Sequence, residues 1–502
     1  MKQKRKMKFV LAVVSALCVC GSVWAAPVGE GEVAHAIGNW RQRCGTLGAK
    51  MGRTVKDVRK VANGEKSVYI VRFEGGGHLI APTDTDIRPV IMFSDGADFD
   101  PSPNNPAWDL IGGCPRPVKA APAAPTPGDD SESDADESPS AAKNRAQWAQ
   151  LLDEGNDGES DASEYGVDEV RVAPLTTTIW TQGASQDGES HYFGTEPCFN
   201  YYTPSNYVCG CVATATAQIL RKFAYMGPNA FEGTYTNPYT KIDGTATPMT
   251  TMGAPYDWES MPDVPKTEKE RKAVGRLTSD IGIMIGMNYT SDGSSSITYM
   301  AKLVFEKFFG YSSAMAMRGN DPYTGKDDLF ERMFVSNFDA KLPVQIRLSG
   351  HSILGDGYGY SGGTIYYHLN FGWGWGGYWY NTPDDLIKEG SSYTGFIGAV
   401  YNIYTNQSYS ASTVIASGRV TRNGVPAAGG PVSAAAADDP QTRSRPRRRT
   451  RTASTRSSSR PANTGSRPLP NRGSAMRSLA RRSRVRRRAF RPFRSRTATT
   501  TT

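Results

Sequence analysis

The sequence predicts an α+β fold for its central region, in which a helical half carries a cysteine and an antiparallel β half carries a histidine and an asparagine. Cys211 opens a run of helix-compatible residues about ten positions long. His351 stands at the start of an alternating segment typical of a strand. Asn370 ends the next alternating segment, two residues after His368 and therefore on the same face of that strand. These three patterns, in this order, indicate a helix followed by a sheet.

The chain has 502 residues, enough for two or three domains that each bury a core. Its first 25 residues have the pattern of a secretory signal peptide, because basic residues precede an apolar run of about 12 residues that is too short to span a bilayer. Val23 and Ala25 supply the small residues expected before a cleavage site. We therefore expect an exported protein, secreted or held at the cell surface, with no transmembrane segment.

Composition and patterning divide the rest of the chain. Residues 26–115 have the strand and turn patterns of a small α+β unit, whereas six acidic residues within 129–137 mark a self-repelling linker with few apolar residues to bury. The expected segments are a signal peptide (1–25), the small α+β unit (26–115), an acidic disordered linker (116–171), the main folded domain (172–407), a partial β-module (408–436) and an Arg-rich disordered tail (437–502).

The net charge of +9 is a property of the C-terminal tail. Residues 441–502 contain 20 Arg and no Lys, Asp or Glu, and subtracting those positive charges from +9 leaves −11 for the residues before them. Clustered Arg can bind an anionic surface or polymer through the release of counterions, so such a partner is one interpretation of the tail. The others are an inert extension removed by proteolysis and a frame-shift product, since the start of a β-module turns abruptly into Arg, Ser, Thr and Pro.

Cys211 and His351 are the candidate nucleophile and base. A cysteine at the first turn of a helix meets unpaired backbone N–H groups and the positive end of the helix dipole, which favour the thiolate. Cysteine chemistry on a peptide bond also needs a base and a group that orients it, for which we assign His351 and Asn370. The competing interpretation is structural, because a lone cysteine in an apolar helix is usually a small buried hydrophobe.

The cysteine count supports an unpaired thiol. Five cysteines follow the expected signal peptide, and an odd number in an oxidising compartment leaves at least one unpaired. We expect Cys211 to be free and Cys198 to pair with Cys209, and we consider Cys44 and Cys114 as a second pair. No His or Cys spacing favours a metal site, so no metal and no other cofactor is expected.

Several motifs of this chain recur in one known family. They are, in chain order, Gly210 to Ile219, Tyr256-Asp257-Trp258 with Met261-Pro262, Ala273 to Ile285 with Met287-Asn288-Tyr289, Phe308 to Ser312, Pro343-Val344, Gly350 to Gly357 and His368-Leu369-Asn370. Through these motifs, residues 173–404 resemble the streptopain family of secreted bacterial cysteine peptidases, which share the papain-like fold.

The resemblance implies a cysteine endopeptidase that cleaves protein or peptide substrates, with an apolar residue preferred at P2. It implies Cys211 as the nucleophile, His351 as the base and Asn370 as the orienter of that base. It also implies Gln182 as an oxyanion donor beside the Cys211 N–H, because the start of a helix supplies only part of an oxyanion hole.

The N-terminal unit resembles the inhibitory propeptide of the same family. The similar stretches are Gly77 to Ile80 and Pro89 to Asp100. The resemblance implies that residues 26–115 block the cleft as the chain's own inhibitor until the linker is cut. The mature N-terminus is expected between about Ala142 and Ala173, and an apolar P2 residue at Val170 would fit a start at Val172.

One segment near the site departs from the family pattern. The family commonly has Asn-Trp-Gly-Trp after the strand histidine, whereas this chain has Asn370-Phe371-Gly372-Trp373 followed by a further Gly-Trp step. We expect Phe371 to shield the contact between Asn370 and His351 from water. We assign Phe371, Trp373 and Gly350 to the substrate cleft.

Two alternatives belong to other functional classes. One is a catalytically silent homologue that binds surfaces through its aromatic cleft and basic tail, against which the intact Cys211, His351 and Asn370 argue. The other is a thiol acyltransferase on the same fold, such as a transglutaminase-like enzyme, in which an aspartate is expected where this chain has Asn370.

Overall fold

The computed structural model divides the chain into two compact units, Met1–Arg419 and Val420–Thr502. The structure describes residues 26–44, 50–64, 66–95, 99–103, 105–111, 139–153, 169–186, 193–224, 233–317, 327–348, 350–361, 364–374, 377–381, 396–405, 415–418, 420–422, 425–426 and 433. The expected signal peptide (1–25), Cys114 and the whole of the Arg-rich tail (437–502) lie outside these ranges. Among the described residues, no helix is both long enough and apolar enough to cross a membrane.

The N-terminal part of the first unit is an antiparallel sheet with two helices. Its elements are α1 (Glu30–Arg43), β1 (Val55–Asn63), β2 (Lys66–Phe73), β3 (His78–Pro82), β4 (Met92–Ser94) and α2 (Pro139–Leu152). The strands pair in sequence order, with Asn63 opposite Lys66 at the tight turn between β1 and β2. Val33 and Ile37 on α1 pack with Val71 on β2 in one buried cluster.

The helix α2 corrects the sequence prediction for part of the acidic linker. Residues 116–171 were expected to be disordered throughout, but Trp148 on α2 is 1% exposed and its indole N–H donates to the Ile87 carbonyl at 2.8 Å. A second hydrogen bond joins the two helices, because the Asn39 side chain on α1 donates to the Leu151 carbonyl on α2 at 2.8 Å. Trp148 and Leu151 are three residues apart and so share one face, which docks α2 on the N-terminal unit.

The central part of the first unit contains the remaining helices and most of the strands. Its elements are β5 (Glu169–Val172), β6 (Ala184–Gln186), β7 (Phe193–Pro197), α3 (Cys211–Phe223), β8 (Thr236–Asn237), β9 (Lys241–Ile242), β10 (Thr245–Ala246), β11 (Met249–Thr250), α4 (Glu268–Met284), β12 (Asn288–Tyr289), α5 (Met300–Leu303), β13 (Ser312–Met317), α6 (Asp327–Asp339), β14 (Val344–Arg347), β15 (Ser352–Ser361), β16 (Thr364–Asn370), β17 (Tyr378–Tyr380) and β18 (Gly398–Tyr404).

One antiparallel sheet runs through both parts. Its strand order is β1-β2-β3-β4-β17-β16-β15-β14-β18-β13, with β5 paired to the far end of β15. The N-terminal strands therefore extend the central sheet, since β4 pairs directly with β17. A cluster of aromatic and aliphatic side chains from β14, β15, β16 and α6 forms the core of this half.

The helical half has its own core around α3 and α4. Thr267 begins α4 as its N-cap and forms a capping box with Glu270, which satisfies N–H groups at the helix start. Leu220 on α3 and Leu277 and Ile281 on α4 are fully buried in this core. Leu354 of β15 also belongs to the cluster, so the helices pack against the strand that begins after His351. The predicted α+β architecture, a helical cysteine half beside an antiparallel β half, is confirmed.

The second unit is described only over short ranges. Within them, β19 (Thr421–Arg422) and β20 (Val425–Pro426) form an antiparallel pair. This pair lies in the segment expected to begin a β-module (408–436).

Candidate active site

Cys211 is the first residue of α3, as the sequence predicts. The preceding Gly210 has φ of +88°, and a side chain there would bring a Cβ within 2.6 Å of Met287 Cε and 3.0 Å of the Ser294 carbonyl. Glycine is therefore required for the chain to enter the helix at this angle. The backbone N–H groups of Ser352, Val212 and Cys211 itself act to lower the pKa of the Cys211 thiol.

Cys211 is partly buried, and its burial decides its protonation state. Burial raises the pKa of the Cys211 thiol, and the three backbone N–H groups offset that effect only in part. Cys211 is therefore a neutral thiol in this structure. The N–H groups at the helix start lower the pKa in the expected direction, but burial outweighs them.

His351 lies at the tip of the hairpin between β14 and β15. Gly350, with φ of +71°, makes the turn. The ring is buried and lies beside that of Trp373, with the ring centroids 5.2 Å apart and the planes tilted by 32°. Its Nε2 lies 2.9 Å from the Phe371 carbonyl, and because a carbonyl only accepts, Nε2 carries the proton and Nδ1 is the basic nitrogen. Burial lowers the pKa of His351 to about 4, despite this hydrogen bond.

The predicted contact between Asn370 and His351 is not among the hydrogen bonds of the described residues. The Asn370 amide instead donates to the Thr178 carbonyl at 2.8 Å and to Gln218 Oε1 at 3.1 Å. Its Oδ1 accepts from the Gly372 N–H at 2.9 Å. The main-chain carbonyl of Phe371 therefore orients His351, while Asn370 fixes the turn that presents that carbonyl.

The other residues assigned to the cleft lie around this centre. Phe371 is 2% exposed, and its ring stacks on His351 with centroids 6.3 Å apart. Trp373 is partly buried and contacts both rings. Gln182 lies beside the segment that leads into α3, because its carbonyl accepts from the N–H of Cys209 at 2.8 Å. Its assignment as an oxyanion donor stays a prediction.

The expected disulfide between Cys198 and Cys209 is not formed in this structure. Both are free, fully buried thiols. The Cys209 sulfur lies 3.3 Å from the Thr214 hydroxyl, which directs it into the first turn of α3. Burial raises the pKa of each of these two thiols to about 12, so both are protonated and unreactive.

A buried pair behind the site was missed in the sequence. Nδ1 of His368 lies 2.6 Å from Asp356 Oδ1. The other carboxylate oxygen accepts from both the backbone N–H and the hydroxyl of Thr176, at 2.8 and 2.6 Å. His368 and Asp356 lie on the neighbouring strands β16 and β15. An aspartate within the alternating segment after His351 was the sequence signal that could have indicated this pair.

The polar residues on the buried face of α3 were also missed. Thr216 and Gln218 are fully buried there and bond to side chains of Gln345 and Thr178. Their spacing on an otherwise apolar helix could have indicated a network beneath Cys211. Within the described residues, no three His, Cys, Asp or Glu side chains come together as a metal site requires.

Comparisons with known proteins match the central part of this chain to cysteine peptidases. The Peptidase C10 family model matches residues 193–380. The thiol protease/hemagglutinin PrtT of Porphyromonas gingivalis is 28% identical over 193 residues, which are 37% of this chain and 21% of that protein. Streptopain of Streptococcus pyogenes is 28% identical over 183 residues, which are 34% of this chain and 43% of that protein. The chain thus matches less than half the length of these relatives.

Two solved structures from Prevotella intermedia are also similar. A fragment of prointerpain A is 20% identical, with a TM-score of 0.46, and the match covers 69% of this chain and 98% of that one. Active interpain A, a cysteine protease, is 26% identical, with a TM-score of 0.36, over 49% of this chain and 98% of that one.

Proposed function

We propose that the protein is a cysteine endopeptidase, because the Peptidase C10 family model matches its residues 193–380. Its nucleophile is the Cys211 sulfur and its base is the His351 imidazole. The observation that carries the proposal is the junction of α3 and β15. There the backbone N–H of Ser352 acts to lower the pKa of the Cys211 thiol, and the ring of His351, the residue before Ser352, is held by the Phe371 carbonyl.

Hydrolysis on these residues proceeds through an acyl-enzyme. The thiol proton passes to Nδ1 of His351, since Nε2 is engaged with Phe371, and the sulfur adds to the carbonyl carbon of the scissile bond. The oxyanion is stabilised by the Cys211 N–H at the start of α3, with Gln182 as the second donor. The amine leaves with the proton from His351, and water then hydrolyses the thioester and restores the thiol.

The protein is made as a latent precursor, in which the unit formed by residues 26–111 and α2 inhibits the enzyme. Two contacts support this part of the proposal. Phe93 on β4 stacks on Trp379 of β17, and Ser94 Oγ donates to the Gly377 carbonyl at 3.1 Å, close to the turn that presents Phe371. The neutral thiol and neutral imidazole also fit a latent form, because a peptidase of this kind needs the proton transferred from sulfur to nitrogen.

Substrate choice and location complete the proposal. The apolar rings of Phe371 and Trp373 beside His351 support a preference for an apolar residue at P2. The signal-peptide pattern of residues 1–25 supports secretion, and the 20 Arg of residues 441–502 support binding to an anionic surface or polymer.

The test compares hydrolysis of casein by the full chain with that by Cys211→Ala. Cys198→Ala is the matched control, since it removes a thiol that is fully buried and protonated. We expect the wild type and Cys198→Ala to process themselves and cleave casein, and Cys211→Ala to remain full length and inactive. Equal activity of the wild type and Cys211→Ala would refute the nucleophile. A wild type that is inert after its N-terminal unit is removed by another protease would favour the silent homologue or the acyltransferase.

A further inference from the structure

A buried glutamine connects the helix of the nucleophile to the strand of the base. Gln345 lies on β14 and is fully buried. Its Nε2 donates to the Val212 carbonyl at 3.2 Å and to Ser352 Oγ at 3.0 Å. Its Oε1 lies 2.9 Å from the Thr216 hydroxyl. One side chain thus spans β14, α3 and β15.

The contacts of Gln345 use every hydrogen-bonding group of its amide and fix its orientation. Both N–H groups of the amide have acceptors, in Val212 and Ser352. Thr216 Oγ1 also lies 2.7 Å from the Val212 carbonyl, but its single proton satisfies the Gln345 oxygen when it points there. Rotating the amide by 180° would place its oxygen against the Val212 carbonyl, so that two acceptors would face each other.

The two ends of this bridge lie beside the two reacting side chains. Val212 directly follows Cys211, and Ser352 directly follows His351. Ser352 joins Gln345 to the nucleophile, because its hydroxyl accepts from Gln345 while its backbone N–H acts to lower the pKa of the Cys211 thiol. The hydrogen bonds of Gln345 therefore set how far the start of α3 lies from the start of β15.

We propose that Gln345 is a positioning residue for the cysteine chemistry. It does not touch the reacting atoms and acts through Val212 and Ser352, holding the Ser352 N–H on the Cys211 sulfur and keeping His351 beside it. This inference rests on the proposed function, since it assigns Gln345 a role in the same site. A buried glutamine that only stabilises the fold would leave the chemistry of the thiol unchanged.

The test uses the full chain with two substitutions in the bridge and one matched control. Gln345→Met keeps the side-chain length and removes the amide. Ser352→Ala keeps the backbone N–H and removes one of the two acceptors of Gln345. Asn337→Leu is the control, because Asn337 is also a buried amide that bonds to a second buried amide, Asn402, on α6 and β18. The rate of Cys211 alkylation by iodoacetamide is measured against pH, with peptide mass spectrometry to separate Cys211 from the other thiols. The values of kcat and KM on casein are measured for the processed enzymes.

We expect Gln345→Met to raise the pH midpoint of Cys211 alkylation and to lower kcat about tenfold, with KM changed less than about twofold. Ser352→Ala should shift the midpoint in the same direction by less, and Asn337→Leu should leave it at the wild-type value. The inference is overturned if the profiles of both bridge variants coincide with the wild type, or if Asn337→Leu shifts the midpoint equally.

The alkylation profile keeps the two proposals separable. Alkylation needs only the Cys211 thiol, so a shifted midpoint supports the role of Gln345 even if the wild type does not cleave casein, which would count against the peptidase alone. If Gln345→Met does not fold, the midpoint of Ser352→Ala decides, and an unshifted midpoint there refutes the bridge.

Discussion

The buried, neutral His351 makes the stability of the full chain depend on pH in a defined window. Burial lowers the pKa of His351 from 6.5 to about 4. Between these values the unfolded chain binds a proton that the folded chain does not, so protonation favours unfolding. The contribution of neutral His351 to the unfolding free energy is present above pH 6.5. It decreases as the pH falls from 6.5 and is constant below about 4. The difference in pKa corresponds to about 3 kcal/mol of unfolding free energy between pH 7 and pH 4.

The assay compares two chains that differ only at His351. Both carry Cys211→Ala so that neither digests itself, and one also carries His351→Asn, which does not titrate and can still donate to the Phe371 carbonyl. Unfolding free energies are measured in urea at pH 7, 5.5 and 4. Carboxylates contribute equally to both chains, so the difference between the two pH profiles isolates His351. We expect the chain with His351 to lose about 3 kcal/mol more than the other between pH 7 and pH 4. Parallel profiles would refute the argument, because they would mean that His351 is protonated normally in the folded chain.

Three further predictions concern contacts around the site. Asp356→Ala should lower the unfolding free energy measured in urea by about 3–5 kcal/mol, because it leaves His368 and two Thr176 groups without their buried acceptor; a loss below about 1 kcal/mol would contradict this. The N-terminus of processed protein, read by Edman sequencing, should lie before β5 rather than at Val172, which is 3% exposed and paired with Tyr358; a start at Val172 would show that β5 opens before cleavage. Trp148→Ala should lower the unfolding free energy by about 3–5 kcal/mol in the precursor and leave the processed enzyme unchanged, and an equal loss in both would mean that α2 is retained.

Local patterns were sufficient to predict the fold class and the positions of Cys211 and His351. The helix start at Cys211 follows from the Gly210–Cys211 step and the helix formers after it, and the strand after His351 follows from alternation. Both signals depend on residues within a few positions of each other, which is why they could be read without the structure.

Contacts between distant segments could not be predicted in the same way. The side chain of Asn370 was assigned to His351, but it binds Thr178 and Gln218, which lie 192 and 152 residues earlier in the chain. The composition of the linker concealed α2, because its docking depends on one tryptophan fitting a surface formed more than 50 residues before it. Burial also reversed the expected charge state of Cys211, and burial is a property of the assembled fold rather than of the helix start.

The continuity of β4 with β17 has a consequence for the processed protein. While the N-terminal unit is attached, Phe93 and Met92 cover one side of β17 as a neighbouring strand. If that unit is cut away, the backbone N–H and C=O groups of Trp379 and Tyr380 become the rim of the sheet. An uncovered aromatic rim of this kind can pair with any extended chain, including a second copy of the enzyme. We therefore expect the N-terminal unit to shield this rim from other chains for as long as the unit stays attached.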